Sequence, residues 1–380
     1  MQIKLLIGVI LGFAGAGKTH TLTFLLGEDP PSMRVSTALT GIPVRAMGLT
    51  RMAVDSLSKM GADKTKFKRV SDDKYSAMVV KTAKDEVAKS KQETTFFTTA
   101  MGGLRKFVFA PDNPKDEIEE DLIIKFHHMK TDERSLENQV ILEMSDCGGQ
   151  PQFLEILPRF LESSISLGIL VHDLSQSLDD YPMNYYYNRD GVSVGEGVKS
   201  PLTNEQVLRL CLQMIASRCR GGKRVRFVFV GTHRDLEGKC AQSRDVKNRR
   251  LMEMVESFNL EDCVIYRNHQ INELIFAVNA KTPEEVDQQT MGELRELLMD
   301  ESAANVLSIP FSYHGLELTL KKKVRGSGQI AFREADILKE VSHYEFTEES
   351  LKDALRYHAL CLTITISRNV LFAGIYTISR

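Results

Sequence analysis

Residues 5–20 read LLIGVILGFAGAGKTH, and two readings compete for them. A lysine at position 4, an apolar run and then Ala14-Gly15-Ala16 have the layout of a secretory signal with its cleavage site. Gly12 to Thr19 instead spell G-x-x-x-x-G-K-T, a loop whose backbone N–H groups can turn inward around phosphate oxygens at a helix start. The flanks favour the second reading. QIKLLIGVIL (2–11) has the continuous apolar character of a buried parallel strand, and KTHTLTFLLG (18–27) reads as a helix ending at Gly27. In such a loop Gly12, Gly15 and Gly17 stand where a side chain would obstruct the phosphates, while Ala14 and Ala16 are small enough to let them approach. Lys18 would reach the β- and γ-phosphates, and the Thr19 hydroxyl would hold Mg²⁺.

Downstream, strands and helices alternate. QVILEMSDCGGQ is a strand running into a glycine turn, FLEILPRFLES a short helix, and SISLGILVHDL a buried strand. NEQVLRLCLQMIASRC carries apolar residues at helical spacing, KRVRFVFVGTHRD is a further strand and loop, KNRRLMEMVESF a helix, ELIFAVNAK a strand, and PEEVDQQTMGELRELLMDE a closing helix. That alternation predicts an α/β fold with a central, mostly parallel sheet covered on both faces. Residues 59–135, rich in lysine and acid, read as a large insertion with short helices and mobile parts. From about 303 to 380 the pattern changes: HGLELTLKKKV, FREADILKEVSHY and TEESLKDALRYHAL read as helices, the last opened by a capping pattern from Thr347 to Ser350, and CLTITISRNVLFAGIYTI as a strand pair. Three helices and a hairpin suggest a small winged-helix-like domain, incomplete at its end. The expected division is 1–302 and 303–380.

Bulk properties narrow the function. A length of 380 residues suits two domains, and a net charge of -2 argues against nucleic-acid binding driven by overall charge. The basic run LKKKVRG is more simply a solvated helix end than a DNA contact. Six cysteines without a C-x-x-C pair suggest neither a zinc site nor a disulfide framework, which points to a reducing, cytoplasmic setting. No apolar run reaches the roughly 20 residues needed to span a bilayer.

Three further motifs refine the phosphate loop. In MSDCGGQ, Asp146 ends a strand and can hold Mg²⁺ through water; the Gly149 N–H can sense a γ-phosphate; and Gln150 can orient an attacking water. In VFVGTHRD, Thr232, His233, Arg234 and Asp235 occupy the places of N-K-x-D, and the Asp235 carboxylate can accept from both the N1–H and the N2 amine of guanine. In VNAK, the Ala280 N–H can meet guanine O6 while Asn279 and Lys281 shape the turn.

The ordered set GFAGAGKT, DCGGQ, THRD and NAK resembles Ras-like P-loop GTPases, and in particular the Roc domains of the Roco family, which carry T-H-x-D and D-x-G-G-Q. DxGGQ is also similar to Arf proteins and heterotrimeric G-protein α subunits. The segment starting SIPFSYHGLELTLKKK is similar in position to the start of the COR segment that follows Roc domains. The resemblance implies nucleotide contacts from the loop through Thr19 and His20, switch roles for Asp146, Gly149 and Gln150, and base recognition by Asp235. It also implies a Mg²⁺-binding threonine in a first switch, for which Thr37 is the choice and Thr40 the reserve. Implied ligands are GTP or GDP and Mg²⁺; implied partners are protein effectors or regulators, with a homodimer through the C-terminal segment an option.

Two departures stand out. Pro151 follows Gln150 and stiffens the switch, and His233 replaces the lysine that packs along the base. Neither Arg34 nor Arg45 can be assigned as a transition-state finger, so slow hydrolysis is expected. Two alternatives stay open: a nucleotide-binding scaffold without turnover, and an ATP-dependent signalling NTPase.

Overall fold

The computed structural model describes residues 2–29, 44–49, 68–69, 139–159, 165–184, 196–219, 224–305, 307–310, 331–340, 346–360, 364–367 and 370–373, together with Tyr313, Leu316 and Leu320. Its centre is a sheet built from β1 (Gln2–Gly12), β2 (Val44–Leu49), β3 (Lys68–Arg69), β4 (Gln139–Asp146), β5 (Leu167–Asp173), β8 (Arg226–Thr232), β9 (Ile275–Ala277) and β10 (Leu307–Pro310). The order across it is β3-β2-β4-β1-β5-β8-β9. β1 pairs in parallel with β4 and β5, as do β5 with β8 and β8 with β9; β2 runs antiparallel to β4, and β3 antiparallel to β2. The mostly parallel sheet expected from the alternating pattern is therefore present.

Strands in the middle of such a sheet are covered on both faces, which is why β1, β5 and β8 read as unbroken apolar runs. Leu6, Ile10, Ile169, Leu170, Val228 and Val230 are all fully buried. The covering helices are α1 (Lys18–Leu25), α2 (Pro151–Ile156), α3 (Asn204–Arg218), α4 (Arg244–Ser257) and α5 (Glu285–Asn305). α3 begins with a reciprocal capping box between Thr203 and Gln206, which fixes where the helix starts. Arg295 on α5 donates to the carbonyls of Phe24 and Leu25, satisfying the end of α1 and locking that helix against α5.

After α5 the chain returns as β10, antiparallel to residues 2–5 of β1 on the edge opposite β4. No apolar period signals this strand. A separate ribbon joins β6 (Met183–Asn184) to β7 (Val198–Lys199). The C-terminal segment contains β11 (Ala331–Arg333), α6 (Glu334–Glu340), α7 (Glu348–Leu360), β12 (Ile364–Ser367) and β13 (Val370–Ala373), with strand order β11-β13-β12. Leu316, Leu320, Ile337, Leu351, Ala354 and Leu355 form its own small core. The reciprocal bonds between Thr347 and Ser350 cap α7 as the sequence pattern suggested. One reading needs correction: Phe332 and Arg333, expected to open a helix, belong to β11, whose pairing with β13 overrides the helical spacing. Most of 59–135 lies outside the described residues; Lys68 and Arg69 are an edge strand on β2. No helix among the described residues is long and apolar enough to cross a membrane.

Candidate functional site

From β1 the chain goes to strands on one side of it, ending with β4, and then crosses to β5 on the other. That reversal opens a crevice at the carboxyl end of β1, where open α/β sheets hold their ligands. The glycine loop sits there. Gly12, at φ 142°, can carry no side chain: a Cβ would lie 2.3 Å from the Val171 carbonyl oxygen of β5. Gly15 and Gly17 also have positive φ, and Gly17 is the residue from which α1 starts. The loop bonds to itself through Ala16 N–H to the Phe13 carbonyl, and Thr21 N–H reaches Gly17.

Lys18 folds back over this loop, its ammonium donating to the carbonyls of Gly12 at 3.1 Å and Phe13 at 2.8 Å. Burial lowers its pKa below that of an ordinary lysine, and the Asp146 charge opposes the shift. The Thr19 hydroxyl donates to Asp146 Oδ2 at 2.5 Å, bringing together the two oxygen groups singled out for Mg²⁺ although they are 127 positions apart. Hard oxygen donors in this small number suit Mg²⁺, which keeps several waters and takes remaining ligands from substrate phosphates. Among the described residues no three or more His, Cys, Asp or Glu side chains form an all-protein metal cage.

The DCGGQ turn presses directly on the loop. Ala14 N–H donates to the Gly149 carbonyl at 3.1 Å, and a Cβ on Gly149 would come within 2.4 Å of Gly12 O and 2.5 Å of Ala14 N. Only glycine fits between the two backbones. Gln150 is buried and stands at the N-cap of α2, with Pro151 in the first helical turn. There proline's missing N–H is one the helix would leave unpaired anyway, and its fixed φ suits the start. The proline is thus a helix-start residue as much as a stiffener.

The third motif reaches the loop from the other side. The Thr232 hydroxyl donates to the Ala16 carbonyl at 2.7 Å and faces the His233 ring nitrogen Nδ1 at 3.1 Å. This tie explains a threonine at that position: one short side chain spans from β8 to the glycine loop. His233 has left-handed backbone (φ 54°) and pairs through Nδ1 with Asp173 at the end of β5, 3.2 Å away. Burial pushes the Asp173 carboxyl up, but bonds from His233 and Ser175 outweigh it and hold the pKa at about 2. Asp235 is exposed in a 3-10 turn, and among the described residues its carboxylate takes no hydrogen bond or ion pair.

Arg234, the variable position of the motif, forms a bidentate pair with the fully buried Asp287. Asp287 in turn accepts the N–H of Asn279 at 2.8 Å, so the THRD and NAK loops share one anchor. Asn279 also organises its own turn, accepting from Lys281 and Thr282 N–H and donating to the Thr282 hydroxyl. Ala280 is buried at the centre of that turn, and Lys281 is exposed. His20 lies within the first turn of α1. Thr37 and Thr40 lie outside the described residues.

Asp173, Asp287 and the pairing role of Arg234 escaped the sequence reading because each acts through a partner far away in the chain. A buried neighbour adds a further group. His172 lies beneath the loop in a small cavity lined also by Phe13, Ala14, Ala16, Gln176 and Asn204. Burial, reinforced by the Lys247 charge, lowers the pKa of His172 to about 4, and among the described residues Nε2 has no hydrogen-bond partner.

No protein-family model matches the sequence, and no curated protein matches it. Among solved structures, Roco2 RocCORdC of Methanosarcina barkeri, bound to GDP, is similar with a TM-score of 0.45 at 11% identity, over 98% of this chain and 74% of that one.

Proposed function

We propose that the chain is a guanine-nucleotide-binding P-loop protein, a Ras-like GTPase of the Roc type, that hydrolyses GTP slowly with Mg²⁺ and acts as a signalling switch. One observation carries this reading: three motifs scattered over some 220 positions converge on the crevice at the end of β1, and the fourth, NAK, is joined to the third through Asp287. Gly149 abuts the loop backbone, Thr232 is tied to Ala16, and Thr19 is bonded to Asp146. An ordinary glycine turn gives no reason for such convergence.

In this reading the amides of Gly12 to Thr19 hold the phosphates, with Lys18 moving its charge from the loop carbonyls to the β- and γ-phosphates. Ala14, Ala16 and His20 line the same stretch. Thr19 and Asp146 would hold Mg²⁺, Thr37 completing the set; the ion, when bound, screens charge on the phosphate oxygens. Gly149 N–H contacts the γ-phosphate, so its presence is felt directly by the DCGGQ turn and α2. Gln150 leaves its buried place to orient the attacking water. Asp235 reads N1–H and N2 of the base, Ala280 N–H reads O6, and Thr232, His233, Asn279 and Lys281 support them. We assign the nucleotide-binding unit to residues 1–302 and a COR-like, winged-helix-type unit to 303–380, through which effectors, regulators or a second copy would bind. The site works in a cytoplasmic setting.

The test is single-turnover hydrolysis of GTP in Mg²⁺ buffer by the wild type and Gln150→Leu. A slow wild-type rate lowered at least tenfold in the variant is the expected result. Equal, near-zero rates favour the scaffold without turnover.

A further inference from the structure

Arg234 and Asp287 have an arrangement that a surface ion pair lacks. Both carboxylate oxygens of Asp287 are fully used. Oδ1 accepts Arg234 Nε at 2.7 Å and Asn279 N–H at 2.8 Å; Oδ2 accepts Arg234 Nη2 at 3.0 Å and Glu284 N–H at 2.9 Å. The same Nη2 also reaches Glu284 Oε2 at 2.7 Å, on the rim. Asp287 has no exposed surface, whereas Arg234 retains 23% of its side-chain exposure.

One carboxylate therefore holds two backbone N–H groups, of residue 279 next to Ala280 and of residue 284 ahead of α5, together with the side chain of Arg234, which stands between His233 and Asp235. The backbone adds Val278 N–H to the Gly231 carbonyl at 2.8 Å and Arg234 N–H to the Val278 carbonyl at 3.4 Å, so the side-chain clamp reinforces a single long backbone bond between the two loops. A planar guanidinium making two parallel bonds restricts rotation as a single bond does not.

We propose that Arg234 and Asp287 are positioning residues that lock the 232–235 and 279–282 loops together and thereby set discrimination for guanine. The inference rests on the guanine-nucleotide reading given above. Asp235 is exposed, and among the described residues its carboxylate takes no hydrogen bond or ion pair. Its orientation toward a base is inherited from the neighbour that is anchored. The position written x in T-H-x-D becomes a determinant of selectivity without touching the nucleotide.

The experiment measures calorimetric affinities of the full chain for GDP and for IDP, which lacks the N2 amine, in wild type, Arg234→Gln and Arg234→Lys. In the wild type GDP should bind more tightly than IDP by about ten- to a hundred-fold, as a charged hydrogen bond gained or lost implies. Arg234→Gln leaves Asp287 with its two backbone donors and should bring that ratio below about threefold, with IDP affinity changing much less. Arg234→Lys should fall between, because an ammonium cannot form both parallel bonds. Melting curves establish that each variant is folded at the titration temperature, and the partly exposed site makes Arg234→Lys the milder backup. A ratio unchanged in both variants, or GDP and IDP affinities falling in parallel, overturns the proposal and leaves the nucleotide reading intact. A wild type with no preference for GDP over IDP sinks the guanine reading itself, and the role of the clamp with it.

Discussion

Replacing Thr232 by valine tests how the THRD loop is joined to the glycine loop. Valine keeps the shape, including the Cγ2 methyl that packs beside Gly17, and removes only the hydroxyl that donates to the Ala16 carbonyl at 2.7 Å. Thr232 and Ala16 are both buried, so water cannot replace the lost donor. An unsatisfied buried carbonyl costs about 1–3 kcal/mol. The extra methyl recovers a fraction of that, which leaves a net loss of about 1–2 kcal/mol. For a unit of this size each kcal/mol lowers the melting temperature by roughly 2–4 °C. Thr232→Ser, which keeps the donor, should stay within about 1 kcal/mol of wild type. Paired thermal and urea melts of the three proteins, without nucleotide and with saturating GDP, measure the difference. The GDP-bound gap should be the larger, since Ala16 lies in the loop proposed to hold phosphate. If valine melts with wild type in both states, the hydroxyl tie contributes nothing and the coupling of the two loops through Thr232 is refuted.

His172 gives a pH prediction: its folded pKa, about 4, lies below the ordinary 6.5, so the unfolded chain binds the extra proton between those values. Stability contributed by the neutral form is complete above 6.5 and is lost as pH falls toward 4, by up to about 3 kcal/mol. A His172→Gln variant should show a shallower decline across that window in urea melts; an identical slope contradicts the assignment. Asp173, held at about 2, contributes its own loss only below the ordinary carboxylate pKa of 3.8. Asp235→Asn should weaken GDP and improve XDP, because an amide donor then faces the xanthine carbonyl; unchanged selectivity in calorimetry speaks against Asp235 as the base reader.

Local patterns carried much of the fold. The apolar runs of β1, β5 and β8 announced a sheet covered on both faces, and the Thr347–Ser350 pattern announced the start of α7. The glycine loop after β1 and the DCGGQ turn against it were legible because glycine at fixed spacing marks backbone that must turn or approach closely. What stayed hidden acts across long separations. β10 is four residues with no period, fixed only by its bonds to β1. Asp287 looked like one acid among several at the start of α5, since its partner Arg234 is 53 positions away. Phe332 matched a helical stripe but obeys the sheet that β13 offers it. Thr232 was readable as a variant of the base motif, yet its bond to Ala16 could only come from the packed loops.

The most direct measurement is displacement of a fluorescent GDP from the wild-type chain by unlabelled GDP, GTP and ATP at fixed Mg²⁺. The exposed Asp235 carboxylate and the anchored NAK turn predict that GDP and GTP displace it at similar concentrations. ATP, with no pair of donors for Asp235, should require at least a hundredfold more. Displacement by ATP as effective as by GTP would contradict the central claim that this crevice reads guanine.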